Sequence, residues 1–164
     1  MAAARKGAGG TPATVALTRA GVPFTLHPYE HDPRAESFGL EAAEALGVPP
    51  ERVFKTLLAE AGGRLVVGIV PVTGQLDLKA LARAVGAPKA TMADPVAAER
   101  STGYVVGGIS PVGQKRALST VLDDSALRHE TVFVSGGRRG LDLELTPADL
   151  VRATGAATAP IRRD

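Results

Sequence analysis

Cysteine is entirely missing from this chain. Its absence excludes disulfides, thiolate metal centres and a cysteine nucleophile together, and it permits a cytoplasmic address. Tryptophan is missing too, and aromatic residues make up only 4% of the sequence. Broad base-stacking platforms of the kind that carry RNA on an open sheet are therefore not expected. No apolar run approaches the ~20 residues needed to span a bilayer, which speaks against a membrane partner. The opening MAAARKGAGG lacks the apolar stretch of a secretory signal, and residues 1–10 read as a disordered tail. A strong charge of either sign is also lacking. The net charge of +2 tolerates a nucleic-acid partner without demanding one, so any RNA contact must come from locally concentrated basic residues.

What remains is an ordinary globular composition, with 45% apolar and 22% charged residues over 164 positions. That length fits one domain with a real core, spanning 11–164. Thr11-Pro12 reads as an N-cap followed by proline at the first helical position, for a helix through Ala13–Ala20 that stops at Gly21. Phe24–His27 reads as a short strand and Ser37–Leu46 as a second helix ended by Gly47. Val53–Ala59 and Arg64–Val70 pair around Gly62-Gly63 as a hairpin. Leu78–Val85 is helical, and a short helix follows Asp94-Pro95 as far as Arg100. Tyr104–Val106, Thr131–Val134 and Leu141–Leu145 are strand candidates, and Thr146-Pro147 caps a last helix over Ala148–Thr154. Strands come in pairs among single helices without a regular alternation. The expected class is α+β, a mixed and partly closed sheet or barrel surrounded by helices.

Several segments could carry chemistry. His27-Pro-Tyr-Glu-His31 spells H-x-x-E-H, an inverted zinc-protease pattern. That chemistry needs both histidines one turn apart on a helix. Pro28, Pro33 and the strand leading in favour a loop instead, so no metal is expected, although Tyr29 can still face a pocket. Lys55 shares a strand face with Val53 and Leu57, so it either snorkels at an edge or lines a pocket. Thr56 points the other way on an ideal strand, and a bulge or twist is needed for both to touch one ligand. Pro71–Lys79 feeds a helix N-terminus that could receive an anion or simply be capped by Asp77 or Thr73. Val134-Ser-Gly-Gly-Arg-Arg-Gly140 suggests a hairpin whose arginines either meet phosphates or are solvated turn charges. In Gly108-Ile-Ser-Pro-Val-Gly113, the glycine spacing is wrong for a nucleophile elbow. Pro111 also removes the N–H that would serve an oxyanion. Gly107-Gly108 offers either a plain turn or bare backbone N–H groups aimed at a ligand oxygen.

The blocks HPYEHDP (27–33), FKTLL (54–58), PVTGQLDLK (71–79), MADPVAAERSTGYVVGGISPVGQK (92–115) and VSGGRRGLDLEL (134–145) together resemble the YbaK/EbsC family of free-standing Cys-tRNA(Pro) deacylases. That family is similar to the editing domain inserted in bacterial prolyl-tRNA synthetases. The likeness covers nearly the whole chain after the tail, and Gly107-x-x-x-Pro111 matches the superfamily's GXXXP pattern. It implies a trans-editing enzyme without metal or cofactor, in which the substrate's own thiol attacks its ester carbonyl. Matching residue by residue, the resemblance implies that Lys55 holds the 3′-terminal nucleotide or the ester. Gly107 and Gly108 would supply backbone contacts around the carbonyl, with Ser110 and Pro111 shaping that loop at the substrate. Tyr29, Phe38 and Thr56 would line the amino-acid pocket, and Asp142 would be a polar wall. Phe54 stands where the family often has tyrosine, which touches none of these roles. The implied partners are mischarged tRNA(Pro) and, for selecting it, prolyl-tRNA synthetase. Two alternatives stay open: a water-using deacylase for Ala- or Ser-charged tRNA, and a module that binds aminoacyl-tRNA or the synthetase without catalysis.

Overall fold

A computed structural model describes residues 10–164; the expected disordered tail lies, but for Gly10, outside the described residues. Helix α1 (Pro12–Ala20) starts where its cap predicts, with the Thr11 hydroxyl accepting from the Thr14 N–H and Gly21 closing its end. Strand β1 (Thr25–Pro28) follows, then α2 (Phe38–Leu46), capped by Ser37. After a 3₁₀ turn at Pro50–Arg52 come β2 (Phe54–Ala61) and β3 (Arg64–Pro71), paired as the expected hairpin. The short β4 (Gln75–Leu76) leads to α3 (Leu78–Ala84), whose N-terminus is capped by Asp77. Next are β5 (Ala90–Met92), α4 (Pro95–Thr102), β6 (Ser119–Asp123) and a 3₁₀ turn at Asp124–Arg128. The chain ends with β7 (Val132–Arg138), β8 (Leu141–Leu145), α5 (Pro147–Thr154), β9 (Ala157–Ala159) and β10 (Arg162–Arg163).

Among the described residues the strands form three sheets, ordered β5-β2-β3-β6-β9, β1-β8-β7 and β10-β4. The five-stranded sheet is mixed, antiparallel through β3 and parallel from β3 to β9. A single bridge between Val53 and Phe133 joins it to the three-stranded sheet. The α+β class is thus as expected, and the sheets meet edge to edge without closing into a barrel. The main core lies between α1, α5 and the sheets, with Leu17, Phe24, Val134, Leu143 and Leu150 buried in it. A smaller cluster sets Ala42 and Ala43 of α2 against Val53, Val72 and Phe133.

One expected strand is not there. Tyr104–Val106 forms no ladder, because Tyr104 is buried and its hydroxyl donates to the Val112 carbonyl at 2.6 Å, while Val105 and Val106 face outward. Burial of the ring and a turn at Val105 decide this segment, not its β-branched composition. The strands β4, β5, β6, β9 and β10 have no counterpart in the sequence reading. Most are two or three residues long and exist only through the neighbours they pair with.

Candidate functional site

A cavity of about 400 Å³ opens where the two larger sheets meet. Its floor is the N-terminal half of β2. On the side of β2 away from β3, β5 pairs only with Ala59–Ala61, and the bridge to β7 is made by Val53. Beyond the Leu58 carbonyl, which accepts from the Ala93 N–H at 3.1 Å, the intervening edge from Phe54 to Leu57 is paired with no strand on that side among the described residues, and the cavity lies against it. Side chains from both faces of β2 therefore reach the same space. The pairing of β2 with β3 runs unbroken from Phe54 to Ala61, so no bulge is involved. Lys55 and Thr56 both line the cavity.

Lys55 stands on the wall, its pKa lowered because partial burial disfavours the ammonium. No hydrogen-bond or ion-pair partner for that ammonium occurs among the described residues. The Thr56 hydroxyl is buried and likewise has no hydrogen-bond partner. Across the cavity stands Asp142, only 5% exposed. Burial pushes its carboxyl up to about 7. The alternation of β8 explains this position. Leu141, Leu143 and Leu145 are buried on one face, which sends Asp142 and Glu144 to the other, where α2 packs over Phe133. Glu144 is paid for there by a network: it accepts from His27 at 2.8 Å, from Thr131 at 2.5 Å and from Arg52 at 3.3 Å. Although partial burial opposes ionisation, those donors hold its carboxyl below the ordinary value. Asp142 has no such donors among the described residues. Tyr29 sits beside it, its phenol pushed up to about 12 by burial and by the Asp142 charge.

The glycine loop supplies the remaining wall. Gly108 donates its N–H to the Val105 carbonyl at 2.9 Å, and Gly107 at the third position has φ +90°. Among the described residues none but glycine has a positive φ, so Val105–Gly108 is a type II turn, which favours glycine at that third place. The expectation that both glycines offer N–H groups to a substrate is corrected here. The Gly108 N–H is consumed by the turn, and Gly108 itself packs against the Arg138 backbone. Gly107 lines the cavity, and its N–H has no acceptor among the described residues. Ser110 and Pro111 are also buried beneath the loop and do not line the cavity. The Ser110 hydroxyl accepts from the Val112 N–H at 3.2 Å, and its carbonyl accepts from Gln114 at 3.0 Å. Both residues brace the loop from within.

The cavity therefore brings together Tyr29, Phe38, Lys55, Thr56, Gly107 and Asp142, and leaves out Gly108, Ser110 and Pro111. Met92, Ile109 and Ser135 also line it and were missed. Ser135 lies directly opposite Asp142 in the β7–β8 ladder, a pairing that a bulge between Ser135 and Arg138 hides from simple counting along the hairpin. The H-x-x-E-H histidines are pulled apart. His27 meets Glu144, and His31 meets Glu41 at 2.8 Å. Among the described residues no cluster of three or more metal-ligating side chains is found.

Comparison with known proteins identifies the family. Residues 33–153 match the aminoacyl-tRNA editing domain. The chain is 39% identical over 121 residues to EbsC of Enterococcus faecalis, named as a candidate Cys-tRNA(Pro)/Cys-tRNA(Cys) deacylase, with 73% of each chain covered. It is 36% identical over 73 residues to a proline–tRNA ligase of Moorella thermoacetica, covering 44% of this chain and 13% of that enzyme. A crystal structure described as a candidate trans-editing enzyme for prolyl-tRNA synthetase superposes with a TM-score of 0.83. It shares 27% identity, over 93% of this chain and 96% of that one. With the motifs and the relatives in agreement, this chain belongs to the aminoacyl-tRNA editing domain family, alongside the YbaK/EbsC proteins.

Proposed function

We propose that this protein deacylates mischarged Cys-tRNA(Pro), with the substrate's own thiol as the nucleophile. The observation that carries the reading is a set of polar groups around one largely apolar cavity that have no partner among the described residues: the Lys55 ammonium, the Thr56 hydroxyl, the Asp142 carboxyl and the Gly107 N–H. Unpartnered groups at such a place are what a ligand satisfies, because leaving them unpaired is costly. The aminoacyl ester offers the complement. Its α-ammonium suits the Asp142 carboxylate, its carbonyl oxygen suits the Gly107 N–H, and the electron-rich ester and terminal ribose suit Lys55.

With the ester held so, the cysteine sulfur attacks the ester carbonyl carbon, forming a carbon–sulfur bond. The bond from that carbon to the ribose oxygen then breaks. The thiol proton ends on the ribose oxygen, giving free tRNA and a cyclic thioester that water opens to cysteine. The protein's contribution is positioning and stabilisation of the oxyanion. A pocket for proline cannot reject cysteine strongly by size alone, which is why a second, hydrolytic check is useful.

The small cavity takes only the aminoacyl end, and a net charge of +2 gives weak nonspecific grip on RNA. We infer that prolyl-tRNA synthetase helps deliver tRNA(Pro) and that the protein works in the cytoplasm, where charged tRNA is used.

A deacylation panel with Cys-, Ala-, Ser- and Pro-tRNA(Pro) tests the reading. Cysteine is expected to leave fastest by a wide margin. Release of alanine alone would establish a water-using deacylase instead, and tight binding without any release would establish a binding module.

A further inference from the structure

The Val105–Gly108 turn is gripped from outside by one side chain. Arg139, at the tip of the β7–β8 hairpin, donates from its guanidinium to the Val106 carbonyl at 2.5 Å. The same guanidinium stacks over the Phe38 ring, 4.8 Å from its centroid. A Cβ on Gly107 would meet Arg139 Nε at 2.6 Å and Phe38 Cε2 at 2.9 Å, so Gly107 is held between the two. Phe38 also packs against His31, with ring centroids 5.7 Å apart, and His31 is fixed by Glu41 at 2.8 Å. The turn is also anchored at the Val106 N–H, which donates to Glu99 of α4 at 2.8 Å.

We infer that Arg139 is a positioning residue that aims and polarises the Gly107 N–H toward the reacting carbonyl. The inference rests on the proposed deacylase reading and deepens it. Its physical basis is the geometry of one peptide. The Val106 C=O and the Gly107 N–H belong to the same planar trans amide, and they point in opposite directions. Arg139 does not line the cavity, whereas Val106 and Gly107 do. Holding the carbonyl on the Arg139 side therefore turns the N–H to the cavity side. A type I turn has the same end residues with this central peptide flipped, and glycine makes that flip sterically easy. The Arg139 bond exists only in the unflipped state and selects it. A charge-assisted bond to the carbonyl also draws electron density along the amide, making the N–H a stronger donor.

Arg139→Ala, Arg139→Lys and the parent protein should be compared by deacylation kinetics and by the amide resonance of Gly107 in a 15N-labelled protein. The expected result for Arg139→Ala is a fall in kcat of roughly 10- to 10²-fold with KM little changed, since a misaimed donor loses transition-state contact. Added guanidinium ion should restore part of the rate. Arg139→Lys should recover only partly, since an ammonium keeps the charge and loses the planar stack. The Gly107 amide proton should move upfield in Arg139→Ala while core resonances stay in place. A loss confined to KM, with a flatter salt dependence, would overturn the inference and make Arg139 a phosphate contact. An unmoved Gly107 resonance would overturn it equally. The resonance is read without substrate, so it stands even if cysteine release fails in the parent protein and the deacylase reading falls.

Discussion

Lys55 sits on the boundary between two roles that a single residue can play. A lysine among apolar neighbours usually carries its charge to water along its stem. Here Lys55 lies on the stretch of β2 between the β5 pairing and the Val53 bridge, and its ammonium lines a cavity without a partner among the described residues. Nothing in the fold's hydrogen bonding depends on it, so its removal should be felt in function alone. Lys55→Ala is expected to lower kcat/KM for Cys-tRNA(Pro) by roughly 10²-fold or more, with an unchanged melting temperature. A parent-like rate in that variant would take Lys55 out of the site. Thr56 and Asp142 share this uncommitted character. Phe38, by contrast, is engaged by both Arg139 and His31.

At the scale of elements, the site is a junction of one free strand edge, one turn and one hairpin. The turn and the hairpin touch with almost no clearance. A Cβ on Gly108 would lie 2.8 Å from Arg138 Cα and 3.0 Å from its carbonyl carbon. Backbone on both sides cannot swing away as a side-chain tip could. Gly108→Ala should therefore destabilise the protein by about 1–3 kcal/mol through overpacking. The rate should fall as well, because the displaced hairpin carries Arg139. Equilibrium unfolding of the variant beside the parent checks the first part, and an unaltered midpoint would show that the contact yields easily. Contact of the hairpin with the turn is also what makes the VVGG stretch at 105–108 uninformative by itself: both glycines look alike on paper. One is needed for its positive φ and the other for a close approach of backbone.

For the whole molecule, two carboxylates on one face of β8 pull stability in opposite directions with pH. The Asp142 carboxyl titrates near 7 when folded and near 3.8 when exposed. The folded state thus binds the extra proton between those values. Its contribution is fully present below the lower value and is lost as pH rises through about 7. Glu144 is the reverse case: its folded carboxyl lies below the ordinary value, so its contribution holds above that value and fades on acidification. Asp142→Asn should therefore gain stability relative to the parent on going from pH 4 to pH 8, by on the order of 2–4 kcal/mol. It should also lose any rise in kcat/KM with an apparent pKa near 7. Denaturant unfolding and rate profiles across that range provide the check, and parallel stability curves for the two proteins would contradict it. The same strand shows how far the primary structure reaches. LDLEL announces alternation like a strand's, and the signals at Thr11, Asp94-Pro95 and Thr146 announce helix starts, because these depend on residues a few positions apart. The motif blocks likewise announce the family and most of the cavity wall. Only the tertiary structure decided that Asp142 would be buried without donors while Glu144 gained three. It alone left the β2 edge open, so that Lys55 and Thr56 share one space, and spent the Gly108 N–H inside the turn. Each of those outcomes depends on groups brought together from distant parts of the chain, and local periodicity carries no information about such meetings.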